Sequence, residues 1–317
     1  NPSKNKEGNG PHAFYDGLYY IFKKAVIGDK VPPGSIIKTG DSSRVKIVYN
    51  NGDQFIISSQ SFYRVRLDTQ NKEVKPVGEV IFGTLRAIIN HNGPRNNMQF
   101  KTRSLAMGVR GTDFCILSST ATGASEVTVL RGKVEVKPIM VVAKADIKAM
   151  VVPAGYQAQI MLPPSSVSST QQDTVDTVKD KDKDAQSLES QNIQDSVSSI
   201  VQLKKATKQD LIVIQEETHI KSKLIETPQD ENVKNLIADL EKKALDTTVE
   251  DIKSADQKLY SEITKNGLNV NNSEDISTIT VKTLFDKAPV EAKPYKPSKY
   301  DLDVLKEDVY QKYFKID

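Results

Sequence analysis

The chain has 317 residues, of which 38% are hydrophobic, and a net charge of +3; this length fits roughly one to three domains. A lone cysteine, Cys115, excludes a disulfide framework and a Cys-rich zinc site, and three widely spaced histidines argue against a His-based metal site. No apolar run approaches the ~18 residues that a membrane-spanning helix needs.

The two halves of the chain differ in charge and in glycine content. Residues 1–160 hold 22 Lys or Arg and 12 Asp or Glu, a balance of +10, whereas residues 161–317 hold 22 and 29, a balance of −7. Fifteen of the 16 glycines lie in the first half, and glycine marks tight turns because it enters left-handed backbone conformations at little steric cost. The sequence therefore predicts a turn-rich first half and a helical or irregular second half.

The first half shows the pattern of short antiparallel strands. Residues 43–49 alternate apolar and charged side chains, the period-two spacing of a half-buried strand, with Arg44 and Lys46 on the outward face. The Asn51-Gly52 pair that follows predicts a hairpin turn, and residues 55–57 supply the returning strand.

Residues 62–67 alternate in the same way, with Arg64 and Arg66 outward. Further strands are predicted over residues 34–38, 80–89, 98–102, 112–117, 126–136 and 150–161. About ten short strands with frequent turns predict a mainly β domain, an antiparallel sandwich or roll. We place this domain at residues 19–162, after an N-terminal extension over residues 1–18.

The outward cations Arg44, Lys46, Arg64 and Arg66 are the candidate binding surface of the β domain. If the hairpin and the next strand are neighbours, all four share one face of a sheet. Such a face suits nucleic acid, lipid headgroups, an acidic protein or the acidic tail of this chain, although outward charges are also ordinary on strands. Nucleic acid is disfavoured, because a pI near 8.6 is below that of typical nucleic-acid-binding domains.

Beyond residue 162 the sequence predicts a partly disordered, α-helical region. Residues 163–228 are rich in polar residues, which favours a disordered or weakly helical linker. Residues 229–317 contain three apolar stripes at helical spacing, running over residues 233–244, 249–263 and 302–316, and Asp230 suits the N-cap of the first.

Helices this short are marginal alone in water, so each needs a surface to pack against. They pack against one another or the β domain, or they form an assembly arm that docks into a partner or another copy of the chain. Aromatic residues are favoured interface anchors, and near the C terminus the candidate partner-binding residues are Tyr300, Tyr310, Tyr313 and Phe314.

Four sequence blocks lie at residues 27–40, 43–53, 107–114 and 127–136, within a region of about residues 20–160. In content and in order they resemble the FecR domain, a module of bacterial envelope proteins. The resemblance implies an extracytoplasmic β domain without known catalysis. In the family's iron-uptake regulators such a domain receives a signal from an outer-membrane receptor. This sequence shows neither their cytoplasmic anti-sigma segment nor their membrane helix, and a start without Met suggests that a secretion signal has been removed.

The third block is the most specific, and it allows a structural and a functional interpretation. Its core residues are Gly108, Val109, Arg110, Gly111, Thr112, Asp113 and Phe114. The two glycines permit positive φ or close backbone approach, and Phe114 suits a core position. Arg110 and Asp113 are placed to pair or to bond exposed backbone. We favour a structural role over direct contact with a partner.

No catalytic residue, metal site or cofactor is predicted. The sequence has no nucleophile elbow, phosphate loop or His-Glu-x-x-His pair, and Cys115, within an apolar run, fits a buried structural thiol better than a nucleophile.

The sequence therefore predicts a non-enzymatic adaptor or scaffold of the cell envelope, periplasmic or otherwise extracytoplasmic. It would bind protein partners, including further copies of itself, and would reach a membrane only through a missing anchor or a partner. Two alternatives stay open. One is the signal-receiving domain of a FecR-type transmembrane regulator. The other is a glycan- or peptidoglycan-binding module, for which Tyr15, Tyr19 and Tyr20 are the available aromatics.

Overall fold

The first half of the chain is a large β structure. The computed structural model describes residues 12–70, 73–91, 98–119, 121–139, 149–160, 201–220, 228, 230–265, 273–291 and 315–316. Fourteen of the described strands lie between residues 12 and 160: β1 (His12–Tyr15), β2 (Leu18–Ile21), β3 (Ile36–Lys38), β4 (Val45–Val48), β5 (Gln54–Ile57), β6 (Phe62–Gln70), β7 (Glu73–Ile88), β8 (Gln99–Lys101), β9 (Leu105–Val109), β10 (Asp113–Ser118), β11 (Ser125–Arg131), β12 (Lys133–Pro138), β13 (Met150–Pro153) and β14 (Tyr156–Ile160).

The second half contributes helices and two short strands. Its described elements are β15 (Val201–Lys205), α1 (Lys208–Thr218), α2 (Glu231–Ala255), α3 (Gln257–Lys265), α4 (Ser273–Phe285) and β16 (Lys315–Ile316). The predicted fold class, mainly β followed by a helical region, is confirmed. The strands outnumber the predicted ten, partly because two predicted strands are each divided by a glycine turn, at Gly132 and at Gly155 (both φ +79°).

β7 organises the sheet, because it pairs with different strands along its two halves. Its first half pairs with β6 and β8, and its second half, Leu85–Ile88, pairs with β5 and β10. The bend between the halves is at Gly83 (φ +91°), and a Cβ there would lie 2.6 Å from the Ser61 Cα. The strand order is β13-β12-β9-β8-β7-β10-β11-β14-β15, with β3 on β6 and β4 on β5.

The two layers meeting at β7 share one hydrophobic core. Phe55 and Phe114 come from the layer of β5 and β10, while Tyr63 and Phe100 come from the layer of β6 and β8. Phe100 contacts Phe55 and Phe114 edge to face, with ring centroids 5.6 and 5.1 Å away, the geometry that aromatic pairs prefer. The predicted hairpin is present, because β4 pairs antiparallel with β5.

The helices cover the outer face of the β10–β11 layer. Cys115 and Leu130, which alternate with core residues along their strands, pack outward against Leu211 and Ile214 of α1 and Val281 of α4. This second apolar cluster binds the helical region to the β domain. The helices of the first two predicted stripes, α2 and α3, pack against one another through Ile252, Leu259 and Ile263. The helices α1 and α4, which lie outside the predicted stripes, pack on the β domain.

Within residues 163–228, which were predicted to be a disordered or weakly helical linker, residues 201–205 form β15 and residues 208–218 form α1. A capping box starts α1: the Thr207 Oγ1 accepts from the Asp210 backbone N–H (3.1 Å), and the Asp210 carboxylate accepts from the Thr207 N–H (2.8 Å). Apolar periodicity alone overlooked this Thr-x-x-Asp signal.

The first predicted stripe and the start of the second are one helix, α2, and its N-cap is Asp230 as expected. Between residues 302 and 314 the third stripe lies outside the described residues. Its last member, Ile316, belongs to β16, which pairs with β1.

Candidate protein-interaction surface

The family-motif segment, Gly108–Phe114, runs from the end of β9 into β10 and is mostly buried. Val109, Gly111, Thr112, Asp113 and Phe114 are buried, whereas Gly108 and Arg110 are exposed. Gly111 adopts φ +61°, and a Cβ there would lie 2.6 Å from the Cα of His91. Five of the seven motif residues therefore lie in the interior of the fold.

Asp113 forms a buried, bidentate ion pair with Arg86 of β7. The Arg86 Nε donates to Oδ1 (2.9 Å) and Nη2 donates to Oδ2 (2.8 Å), with side chains only 1% and 3% exposed. Burial alone would lower the pKa of Arg86, but the Asp113 carboxylate outweighs it and raises that pKa. The expected pairing with Arg110 is not found: Arg110 is exposed and has no hydrogen-bond or ion-pair partner among the described residues.

The four outward cations do not share one face, because β5 and β6 are not neighbours. β5 pairs with β4 and the second half of β7, whereas β6 pairs with β3 and the first half. Arg44 and Lys46 therefore lie on one layer, and Arg64 and Arg66 on the other.

Arg64 points away from the core, as the alternation predicts, but it is buried rather than exposed (4%). The β1–β2 hairpin covers it, with its guanidinium over the Tyr15 ring (4.8 Å to the centroid) and bonded to Asp16 (2.9 Å) and Glu79 (2.6 Å). Tyr15 also donates to Glu79, and Tyr20 contacts Arg64. Two of the three tyrosines considered for glycan binding thus hold the hairpin on the sheet.

Arg44 and Lys46 meet the chain's own helices. The Arg44 Nε and Nη2 donate to the backbone carbonyls of Glu217 (2.8 Å) and Glu216 (3.1 Å), at the C-terminal end of α1. Helix C termini present unpaired carbonyls and partial negative charge, which a cation stabilises. Lys46 lies 3.7 Å from the Glu241 carboxylate of α2. Both contacts are made with the acidic second half of the chain, which is one of the anionic partners considered from sequence.

Further polar contacts fasten the helices to the sheet, and sequence patterns did not identify them. Ser58 donates to the Glu217 carbonyl (2.9 Å). Arg131 pairs with the buried Asp251 of α2, which also accepts from the His91 backbone N–H (2.8 Å). The remaining candidates, Tyr300, Tyr310, Tyr313 and Phe314, lie outside the described residues.

Cys115 lies in the apolar cluster between sheet and helices. Burial raises the pKa of its thiol to about 12, so the reactive thiolate is scarce at neutral pH. Among the described residues no group of three or more His, Cys, Asp and Glu side chains is placed to hold a metal ion. No described helix is both long enough and apolar enough to cross a membrane.

Glu126 is a titratable group at the interface between β11 and the tail. The pKa of Glu126 is raised to about 7, mainly by burial and to a smaller extent by the nearby Asp210. Lys204 and the hydrogen bond from Gln157 lower this pKa, but they do not offset the effect of burial. Because the folded-state pKa exceeds the ordinary value of 4.5, ionisation disfavours the folded state. This penalty is absent below about pH 4, grows as the pH rises toward 7 and is complete above that.

We expect Glu126→Gln to match the wild type in free energy of unfolding at pH 4 and to exceed it by roughly 1–3 kcal/mol at pH 8. Urea denaturation of both proteins at the two pH values measures the difference. Glu216→Gln, which removes an exposed carboxylate of α1 itself, serves as the control. An advantage of Glu126→Gln that is equal at both pH values would contradict the assignment.

Comparison with known proteins agrees with the sequence blocks. The family model described as FecR protein matches residues 35–135, which are 101 of the 317 residues and run from just before β3 into β12. The resemblance seen in the sequence is thereby confirmed. No curated protein matches the chain.

Two crystal structures, at 1.65 and 2.50 Å resolution, are similar to the chain, both of a provisionally assigned anti-sigma factor from Parabacteroides distasonis. Each shares 16% identity and covers 40% of this chain, with TM-scores of 0.32 and 0.33. The match spans 55% of the length of those chains. A likeness this distant carries no argument about fold or function.

Proposed function

We propose that the chain is a regulatory, non-catalytic module of the bacterial envelope that receives a signal by binding another protein, because residues 35–135 match the FecR family model. The family match is the observation that carries this proposal. It favours the signal-receiving role over the scaffold role, because the matched family is one whose domains serve in regulators. An extracytoplasmic location is part of the same proposal.

The distribution of motif residues supports protein binding without catalysis. The motif's buried residues are occupied in packing and in the Arg86–Asp113 pair, and the buried Cys115 has a pKa too high for a nucleophile. Arg110 is the motif residue that reaches solvent with no partner in the described part of the chain. An exposed arginine can form bidentate contacts with a carboxylate of a partner, so Arg110 is our proposed contact residue.

A genetic replacement in the native organism tests the proposal. We expect loss of the gene to change a defined set of transcripts, the wild-type gene to restore them, and Arg110→Glu to fail. Lys234→Glu, a charge reversal at an exposed position of α2, should restore them fully. Unchanged transcripts after deletion would overturn the regulatory proposal.

A scaffold role, the second candidate, is favoured by the helices α1 to α4, which all lie outside the residues that match the FecR family model. It predicts stable self-association, whereas a signal-receiving module needs none. Light scattering of the purified full chain separates the two: we expect the 35.1 kDa monomer mass. Stable higher multiples at micromolar concentration would favour the scaffold.

A further inference from the structure

β14 and β15 are neighbouring antiparallel strands, but they are far apart in the sequence. β14 and β15 pair antiparallel with Ile160 directly opposite Val201, so a tight turn would suffice to join them; hairpin loops usually have about 2–5 residues. Here forty residues, 161–200, join the two strands.

The surface that receives β15 and α1 combines strand pairing, apolar contacts and hydrogen-bond donors. It consists of the hydrogen-bonding edge of β14, the outward apolar side chains Cys115 and Leu130, and the donors Arg44 and Ser58; we call it the docking surface. The edge of β14 accepts a strand through five paired residues. Cys115 and Leu130 accept the apolar side of α1, and the two donors accept its C-terminal carbonyls.

We infer that the docking surface is a binding site for a protein segment made of an extended strand followed by an amphipathic helix, and that β15–α1 of this chain occupies it in place of that partner. The inference deepens the proposed function and rests on it: a partner segment that displaces β15–α1 would give the module two states. The occupant defines the partner's chemistry. It offers backbone groups to β14, apolar residues three apart on one helix face (Leu211 and Ile214), and free carbonyls at the helix end.

The contacts at the end of α1 favour a displaceable occupant. Arg44 donates to the backbone carbonyls of Glu216 and Glu217, which any helix of the right length presents regardless of its sequence. Ser58 contacts both the carbonyl and the carboxylate of Glu217. β-strand addition likewise relies on main-chain hydrogen bonds, with pockets for alternate side chains supplying specificity. The docking surface therefore recognises a backbone shape and a short apolar pattern that a partner can reproduce.

A peptide of this chain's own residues 199–220, labelled with fluorescein, tests the inference on the full chain. Leu211→Asp places a charge at a fully buried α1 position (0% exposed) and loosens the occupant while leaving the docking surface intact. Fluorescence anisotropy should show the peptide binding this variant at least about tenfold more tightly than the wild type. Val213→Asp, the same change at an exposed position of α1 (46%), should bind like the wild type.

A change in the docking surface itself completes the experiment. Adding Leu130→Asp to Leu211→Asp should abolish the gain in peptide affinity. Equal peptide binding by wild type and Leu211→Asp, or binding that survives Leu130→Asp, would overturn the inference. The assay uses no envelope partner, so its failure leaves the transcript test of the regulatory role unaffected.

Hydrogen exchange of the wild type gives a second test that does not depend on any variant. If β15–α1 leaves the docking surface as a unit, its amides exchange together and at least about tenfold faster than those of β10 and β11. Equal protection of α1 and β10 would mean that the helix leaves only with global unfolding, and would overturn the inference.

Discussion

Replacing Asp113 by alanine is expected to lower the free energy of unfolding by about 3–5 kcal/mol. The change leaves the Arg86 guanidinium, 1% exposed, without its bidentate partner at the centre of β7. An unpaired buried charge is far more costly than the net benefit of the original pair. Urea denaturation followed by circular dichroism measures the loss.

Two further variants test whether the loss of stability comes from the unpaired Arg86 charge or from any substitution in the motif. Arg110→Ala, three residues away but exposed, should change stability by less than about 0.5 kcal/mol. The double variant Arg86→Met/Asp113→Leu removes both charges and should recover much of the loss. A loss below about 1 kcal/mol for Asp113→Ala would show that the ion pair does not support the fold.

Gly83→Ala is expected to destabilise the protein by about 3 kcal/mol or more, from backbone strain and steric overlap together. The left-handed backbone at this position costs a residue with a Cβ about 1–2 kcal/mol. The added carbon would also lie 2.6 Å from the Cα of Ser61, so the segment that leads into β6 must move. The displacement reaches both layers, because Gly83 is the bend of the strand that they share. Thermal unfolding monitored by calorimetry measures it.

Gly108→Ala is the matched control, because no neighbouring atom lies within 4 Å of the position that its methyl group would take and its φ is not left-handed. We expect its stability to be unchanged or slightly raised, since alanine restricts the unfolded chain. If Gly83→Ala were equally harmless, the bend at Gly83 would not need glycine.

Local signals in the sequence predicted local structure well. The alternation in residues 43–49 and the Asn51-Gly52 turn were sufficient for the β4–β5 hairpin, because pattern and turn type are both encoded within a few residues. Asp230 at the start of α2 was equally local. The four FecR-like blocks identified the family only when taken together and in order, because no single block is specific enough.

What the sequence did not predict depends on contacts between distant segments. Alternation placed Arg64 on the outer side of its strand, but its burial depends on a hairpin about 45 residues earlier. Which strands lie beside β5 and β6 depends on the bend in β7, and the sequence has no turn dipeptide at that bend. Arg86 was the missed signal: a single charge within the apolar run 80–89 indicates a buried partner, since an unpaired charge is not tolerated there.

The strand β7 also bears on how the molecule comes apart. Its first half supplies hydrogen-bond partners to β6 and β8, and its second half supplies them to β5 and β10. Because both layers share β7, neither layer can unfold without removing a hydrogen-bonded strand from the other layer. The two layers therefore form one cooperative unit. The β domain should therefore melt in a single all-or-none transition, with equal calorimetric and van't Hoff enthalpies.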